Sequence, residues 1–538
     1  LYIRGTKYCE IHRLLPPLPA LKKGSKVVKH CGSMTRELIA CSLNCHVVGI
    51  LPIYSALHDA ETNEAAAKAR WLRQLPHVKP ATRSKVRCFA RVLTRRNLDP
   101  IGLGDFKDDF ELTGDPVEDV KRWLPFTHYP LKRKLEILAA AESLKIKPLC
   151  RKDYKVRAFV KRETYGQFKY ARWINSRSDR FKAFCGPFFH LVERRVFGGK
   201  LSKYFIKDVP VADRPRVIKE RLYVPGCYYA ATDYKSFEGS FDAQTIESIE
   251  CQLYSYMAGT KYKFIYEQIL KALCGVQRCR MKSVSARGHA RMSGDMCTSL
   301  GNGFTNLILM LFAAKEHGWN WKNMDAVFEG DDGLVRVERK DELPTEDYFS
   351  TLGFTMKMKI SEDVGEAGFC QNYFDVNDAE PTNIVDPLKH LARLGWTHSA
   401  AMHGGPRVRK QLAKAKAFSL LYSCPSNPVL ASMAKWVLRS TDDVDARWGE
   451  GWWDCQLRAS FRELRDVRVT EQSRVLVSKL FGLPVSAQIE IEEFFDRLPP
   501  VLKPIDHPTI FRYCAARNPH WVLNWHLSKV TKMAGDPW

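Results

Sequence analysis

Gly330-Asp331-Asp332-Gly333 stands between apolar runs, Val327-Phe328 before it and Leu334-Val335 after it. Apolar flanks around such a turn predict a β-hairpin carrying two carboxylates at its tip. Carboxylates are too costly to bury without a counter-charge, so these two either face water or hold cations. Taken alone, an ordinary solvated turn accounts for them. A second acidic element changes the balance: Asp233 closes the apolar stretch 228–232, and Glu238 follows five positions later, at the expected start of a helix. Phosphoryl transfer uses hard oxygen ligands to hold two divalent ions about 3.5–4 Å apart. Asp233 and Asp331 at neighbouring strand ends, with Asp332 beside them, would be such ligands. One ion would activate a 3′-hydroxyl and the other would steady a departing pyrophosphate.

A third element lies between these two. Residues 291–302 read Arg-Met-Ser-Gly-Asp-Met-Cys-Thr-Ser-Leu-Gly-Asn, a Gly-containing polar loop running into an apolar helix. Ser293, Thr298 and Asn302 carry hydrogen-bonding groups, and 298 and 302 share one helix face. Such a face suits a ribose 2′-hydroxyl, which both donates and accepts. The plainer possibility is a helix with Ser293 as its N-cap.

The elements that must position these groups are legible around them. Residues 228–232 read as a buried strand ending at Asp233, 300–314 as a buried helix, and 326–329 with 334–337 as the two strands of the hairpin. Residues 131–144 have helical apolar spacing, and 151–182 are basic with interleaved aromatics. Gly102 to Pro116 reads as a connecting loop rich in Gly and Asp. Beyond about 390 helical patterns dominate, as at 428–438 and 487–498. The sum is an α+β centre followed by a helical region.

Bulk properties bound the partner. The 538 residues carry 84 Lys+Arg against 60 Asp+Glu, a formal charge of +24, which points to a polyanion. At 45% hydrophobic and 11% aromatic the chain is globular and needs several subdomains. Its 16 Cys are scattered without a disulfide framework, which fits a reduced, cytosolic protein. Cys9, His12, His30, Cys31, Cys41, Cys45 and His46 offer zinc ligands in principle, but at spacings of no standard finger. The most apolar stretch, 38–53, falls short of the roughly 20 residues of a membrane helix and is read as core. No signal peptide is visible, and the chain begins with Leu1, as a piece of a longer product would.

Asp-x₄-acid, then Ser-Gly-x₃-Thr-x₃-Asn, then Gly-Asp-Asp, in that order, resembles motifs A, B and C of viral RNA-dependent RNA polymerases. The string at 291–302 is especially like the tombusvirus-like and related positive-strand RNA virus enzymes. Phe159-Val160-Lys161-Arg162-Glu163 and the run 169–177 resemble motif F, Gly353 to Lys359 resembles motif D, and Phe369-Cys370-Gln371 resembles motif E. The resemblance covers most of residues 150–440, and the first 100 or so residues match no family pattern. Glu238 stands where the nearest relatives usually carry Asp.

The resemblance implies a right-hand polymerase with an antiparallel palm sheet and a helical thumb. Fingers would take 101–225 with 246–284 inserted, the palm 226–245 and 285–385, and the thumb 386–538. Residues 1–100 would be an extension that bridges fingers and thumb or packs behind the fingers. It implies two Mg²⁺ (or Mn²⁺) ions on Asp233, Asp331 and Asp332. Lys161 and Arg172 would grip the incoming triphosphate, assisted by Lys169 and Arg177, while Ser293, Gly294, Thr298, Asn302 and Glu238 bind the nucleotide. Lys359 would protonate pyrophosphate, with Lys357 an equal candidate by spacing. Expected partners are RNA template and product, nucleoside triphosphates, and, through segments outside this chain, other viral replication proteins and host membranes. The expected location is the host cytoplasm, in a membrane-associated replication complex. Two other classes compete. A reverse transcriptase usually has an aromatic two residues before the paired Asp, where this chain has Glu329, and the Ser/Thr/Asn set favours ribose. A non-enzymatic RNA-binding capsid fits the charge, but has no use for three ordered acidic and polar motifs. The absence of a Gly-x₄-Gly-Lys-Ser/Thr loop argues against a fused helicase.

Overall fold

Tyr228–Tyr234 forms a strand because apolar side chains occupy both of its faces, as a central strand requires. It runs two residues past its expected end and carries Asp233 within it. The structure, a computed structural model, describes residues 1–30, 38–54, 59–103, 110–281, 283–320, 324–376, 379–399, 401, 403–449, 464 and 467–533. The central strand pairs antiparallel on one side with Asp332–Val337 and on the other with Met356–Ser361. Asp325–Glu329 completes a four-stranded antiparallel sheet. One sheet face, with Ala230, Tyr234, Phe328 and Val335, packs on the helix Thr298–Glu316, whose residues 300–314 are all buried. The other face, with Tyr229, Val327 and Leu334, packs on the helix Arg214–Leu222 and on Val364, Phe369 and Phe374.

A five-stranded sheet lies beside it, in the order Lys26–Lys29, Val284–Gly288, Gln277–Arg280, Val156–Val160, Trp173–Ser176. Its inner face (Val156, Trp173, Cys279, Ala286) is covered by Ala66, Ala67, Trp71 and Leu72. These follow the helix Ala60–Ala66 and end in a widened turn, where the Leu72 amide donates to the Ala67 carbonyl. The five strands are drawn from distant parts of the chain. Residues 284–288 belong to this sheet and not to the Asp-bearing one. Residues 26–29 belong to it as well, by pairing with a strand some 250 residues away, which no local pattern announces.

The described helices between Pro387 and Met533 pack around one core. Leu43, Cys45, Val47, Ile50 and Ile53 from the chain's beginning are part of that core. The stretch 38–53 is thus core, as read. Asn44 donates to the Leu502 carbonyl and the Val48 amide to Ile505. The helix Leu131–Ile146 is present. In the loop expected at 102–116, residues 104–109 lie outside the described residues, and Pro116 already opens the helix Pro116–Trp123, capped by Asp115. Among the described residues, no helix is long and apolar enough to cross a membrane.

Candidate active site

The strand register sets the position of the acidic residues. The ladder between the hairpin and the central strand runs to Gly333 opposite Thr232, which brings the next residues, Asp332 and Asp233, to the same end of the sheet. The tip is held from below: the Asn306 amide, on the buried helix, donates to the Gly330 carbonyl at 3.3 Å and to the Asp332 carbonyl at 3.2 Å, and the Tyr234 hydroxyl donates to Asn306 at 3.2 Å. Gly330, at φ 61°, makes the turn in the left-handed region. Glu329 points away from the tip into an ion pair with Arg214 at 2.6 Å.

The carboxylates feel one another. Burial and then Asp331 push the Asp332 carboxyl up to about 7, opposed by a hydrogen bond from the Cys370 thiol. Burial and then Glu238 push Asp331 up to about 6, with Asp233 adding to the rise and Arg172 opposing it. Half-buried carboxylates raised by their neighbours are short of positive charge, and that is the electrostatic signature of a cation site. Among the described residues, no three acid, His or Cys side chains are gathered tightly enough to be a finished metal cage. The oxygen-only donor set at the tip suits Mg²⁺ or Mn²⁺, which keep several waters and need few protein ligands. The N-terminal Cys and His residues are dispersed: His30 bonds Ser285, His46 bonds Ser42, Cys41 and Cys45 are buried, and Cys31 lies outside the described residues.

The cations expected around a triphosphate divide into two sets. Lys161 and Arg172 are adjacent across a backbone hydrogen bond and share Glu163, at 3.1 and 3.5 Å. Lys169 stands over the Tyr165 ring at 4.7 Å, its amine lowered by burial and then by Arg70, against the pull of Glu163 and Asp233. Arg172 acts on Asp331 and Lys169 on Asp233, and Lys161 joins them through Arg172 and Glu163. Arg177 does not join them: it is buried, and its guanidinium is consumed by Asp295 at 2.8 Å, Gln277 at 2.8 Å and the carbonyls of Tyr154 and Ala272. The expectation that it assists the triphosphate is corrected. It ties the end of the Trp173–Ser176 strand to the 291–302 loop.

The loop itself is partly engaged in structure. Ser293 donates to the Trp173 carbonyl at 3.0 Å and accepts from the Asn175 amide at 3.2 Å. Gly294 donates to the Asn175 carbonyl at 2.7 Å, and a Cβ there would collide with that oxygen. The Thr298 hydroxyl lies 2.9 Å from the carbonyls of Met292 and Asp295, closing the turn instead of facing a ligand. The buried helix starts at Thr298 with no side-chain cap, so the plainer account of Ser293 as an N-cap fails. Asn302 is buried, and among the described residues its amide oxygen has no partner. Glu238 sits in the first turn of a short 3-10 helix, Phe237–Ser240, entered through Ser236 at φ 52°, so the helix start expected there is a single turn. A small cavity of about 50 Å³ joins Glu238, Ser293, Asn175, Arg172 and Arg70, close to the carboxylates and too small as it stands for a nucleotide.

Lys357 stands directly opposite Asp233 in the ladder, on the same sheet face, whereas Lys359 lies two residues further along. Lys359 donates to the Glu366 carbonyl at 2.8 Å and lies over the Tyr373 ring at 5.4 Å. The register therefore separates two lysines that spacing left equal.

Sequence reasoning missed several groups. Asn306 was hidden inside an apolar helix. Arg70 comes from a segment with no family pattern and lies beside Arg172 and Glu238. Arg291 and Glu250 form a fully buried ion pair beneath Gly301, with the Tyr254 hydroxyl donating to Glu250 at 2.9 Å. Lys22, lowered to about 7 by burial, donates to the carbonyls of Gly239 at 2.7 Å, Phe241 at 3.0 Å and His289 at 2.7 Å, bracing the Glu238 turn from the chain's beginning.

On the far side of the tip lies a larger cavity of about 760 Å³, between the turn at 369–372, Lys389, Arg393 and Arg517.

Comparison with known proteins agrees with this chemistry. Residues 242–502 match the family model described as viral RNA dependent RNA polymerase; the match takes in Asp331 and Asp332 and begins after Asp233. The RNA-directed RNA polymerase of tobacco necrosis virus (strain D) is 28% identical over 265 residues, covering 44% of this chain and 35% of the relative. That of tobacco necrosis virus (strain A) is 28% identical over 263 residues, covering 44% and 35%. The RNA-directed RNA polymerase of groundnut rosette virus (strain MC1) is 23% identical over 439 residues, covering 74% and 48%. The matches span about a third to a half of the length of these curated relatives. The resemblance read from the motifs stands: this chain is similar to the viral RNA-dependent RNA polymerases, and the curated relatives are tombusvirus-like.

Proposed function

We propose that the chain is the catalytic portion of an RNA-directed RNA polymerase that copies viral RNA from nucleoside triphosphates. The observation that carries this is the meeting of Asp233 with Asp331 and Asp332 at one end of an antiparallel sheet, with Arg172 and Lys169 acting on them. In this reading the four-stranded sheet is the palm, the five-stranded sheet the core of the fingers, and the helices after 386 the thumb. Residues 38–54 brace the thumb, and residues 26–29 and 59–73 the fingers.

Asp233, Asp331 and Asp332 are the residues that would hold two divalent ions, whose chemistry is to activate the 3′-hydroxyl and neutralise the leaving pyrophosphate. Lys161 and Arg172 release Glu163 and take the triphosphate, which offers more negative charge in the same place. Asn302, Glu238 and Ser293 sense the 2′-hydroxyl, with Ser293 freed when the 173–176 strand shifts. Lys357, beside Asp233, is the nearer donor of a proton to pyrophosphate. The cavity beyond Cys370 lies where the nascent strand leaves. Association with other replication proteins and with host membranes through segments outside this chain belongs to the same proposal.

The test is incorporation of labelled nucleotides on a defined RNA without primer, with Mg²⁺ and Mn²⁺ compared. Asp331→Asn should lose incorporation and keep RNA binding. A capsid-like RNA binder would show no incorporation in the wild type, and a reverse transcriptase would prefer deoxynucleotides. Near-normal synthesis by Asp331→Asn would sink the assignment.

A further inference from the structure

The Lys22 amine is enclosed while its stem stays partly exposed, the reverse of how a lysine ordinarily lies. Its three N–H groups are matched by carbonyls from two places: Gly239 and Phe241, on either side of Ser240, and His289, two residues before Arg291. Among the described residues no carboxylate pairs with it, and the acid that acts on it, Asp242, is held by Arg83 at 3.1 Å. A buried ammonium without a counter-charge is costly, so packing alone does not account for it. Arg73 repeats the arrangement from the neighbouring segment. It faces Leu21 across an antiparallel bridge, is buried, and donates to the Lys235 carbonyl at 2.7 Å and the Ser240 hydroxyl at 2.8 Å. The turn Phe237–Ser240 runs between these two clamps. Gly239 lies so close to residue 70 that a Cβ would collide with the Arg70 carbonyl, and the Glu238 carbonyl accepts from the Arg291 amide at 3.1 Å. The backbone on both sides of Glu238 is therefore fixed by cations from the chain's first segment.

We infer that Lys22 and Arg73 are positioning residues for sugar selection, setting where the Glu238 carboxylate stands relative to Ser293 and Asn302. The inference rests on the role proposed for Glu238. By gripping Gly239 and Phe241 together with His289, the ammonium fixes the spacing between the turn that carries Glu238 and the segment that leads into the 291–302 loop. A site penalises a missing hydroxyl only if its polar groups cannot relax around the gap, so that spacing must be held. A brace acting on the fold alone would slow ribonucleotides and deoxyribonucleotides alike, whereas one acting through Glu238 changes their ratio. The segment that matches no family pattern is thereby part of the selection machinery.

The experiment compares kcat/KM for a ribonucleotide and its 2′-deoxy counterpart, using the whole chain on a defined RNA template. Lys22→Met should narrow the ribose preference about ten-fold, mostly through a lower kcat for the ribonucleotide, and Arg73→Gln should shift it the same way. On a Glu238→Ala background, Lys22→Met should change the ratio by less than about two-fold, because both variants remove one device. Lys416 provides the control: its buried amine also donates to three carbonyls, those of Arg393, Leu394 and Trp396, among the C-terminal helices. Lys416→Met matches the lost bonds and should leave the ratio unchanged. Without nucleotide or metal, amide exchange should quicken at 236–241 in Lys22→Met and not in Lys416→Met. An unchanged ratio in Lys22→Met, an equal slowing of both sugars, an equal narrowing in the control, or full additivity with Glu238→Ala would overturn the inference. Should Lys22→Met not fold, Arg73→Gln decides on the same criteria. A Glu238→Ala ratio equal to wild type removes the role of Glu238 and this inference together, whereas a narrowed ratio in Glu238→Ala alone removes only this inference.

Discussion

Asp332 is the residue whose chemistry the fold disturbs most openly. A carboxyl raised in the folded state favours folding when protonated. That contribution is whole below the unfolded value of about 4 and is lost as pH rises through about 7. Asp332→Asn mimics the protonated group. The metal-free variant should therefore melt above the wild type by a margin that widens between pH 5 and pH 8, and Mg²⁺ or Mn²⁺ should shrink it by stabilising only the wild type. Differential scanning fluorimetry reads this directly, and a margin flat with pH would refute the raised titration. Arg177 and Arg172 separate by environment. Arg177→Ala leaves buried Asp295 unpaired and should cost about 3–5 kcal/mol in urea denaturation. Arg172→Ala should leave stability nearly unchanged and raise the nucleotide KM. Asn302 governs sugar choice in the proposed site. Asn302→Ala and Glu238→Ala should each narrow the preference for ribonucleotides, mostly by slowing the ribonucleotide reaction. Glu238 stands in the first turn of a helix only four residues long, where the dipole is weak, so a thermal effect with an unchanged sugar ratio would contradict its assignment.

Elements, more than single side chains, set how far the site can be placed. The hairpin tip hangs on Asn306, and a tip displaced by about 1 Å can cost a hundred-fold in rate. Asn306→Ala should therefore lower kcat by about that factor in steady-state incorporation, with a smaller change in nucleotide KM. Lys357→Ala should slow incorporation more than Lys359→Ala, and the reverse order would return the acid role to Lys359. What the sequence made legible follows the same division. The central strand, the hairpin and the buried helix were readable because their apolar patterns are local and continuous. The capture of residues 26–29 by the strand Val284–Gly288 was not, because a short strand of two lysines and two valines carries no information about so distant a partner. The Glu250–Arg291 pair was invisible for a related reason: each residue alone reads as a surface charge, and only their burial beneath Gly301 makes them a unit. Among the nucleotide-binding candidates the motif positions were legible, but their present partners were not. Thr298 and Arg177 look alike as ligands by type, but the Thr298 hydroxyl lies against backbone carbonyls and the Arg177 guanidinium is paired with buried Asp295.

At the scale of the molecule, the chain's beginning and end are fastened together. Residues 43–53 share a core with the C-terminal helices, and Asn524 donates to the Pro52 carbonyl at 2.8 Å across 472 residues. The tip of the basic segment closes on the same helices: Asn518 donates to the Gly166 carbonyl, and His520 meets Phe168 edge-on at 5.5 Å. Asn518→Ala with His520→Ala should make the 161–171 stretch cleave faster in limited proteolysis, while cleavage elsewhere stays unchanged. The fastening also has a consequence in time. On a ribosome adding 5–20 residues per second, Pro52 emerges roughly 25 to 95 s before Asn524. Through that interval Val47, Ile50 and Ile53 have no partner from the last helices. That earlier-made strip is thus among the last to find its place, and it must be kept from other chains until the helices around Asn524 have been made.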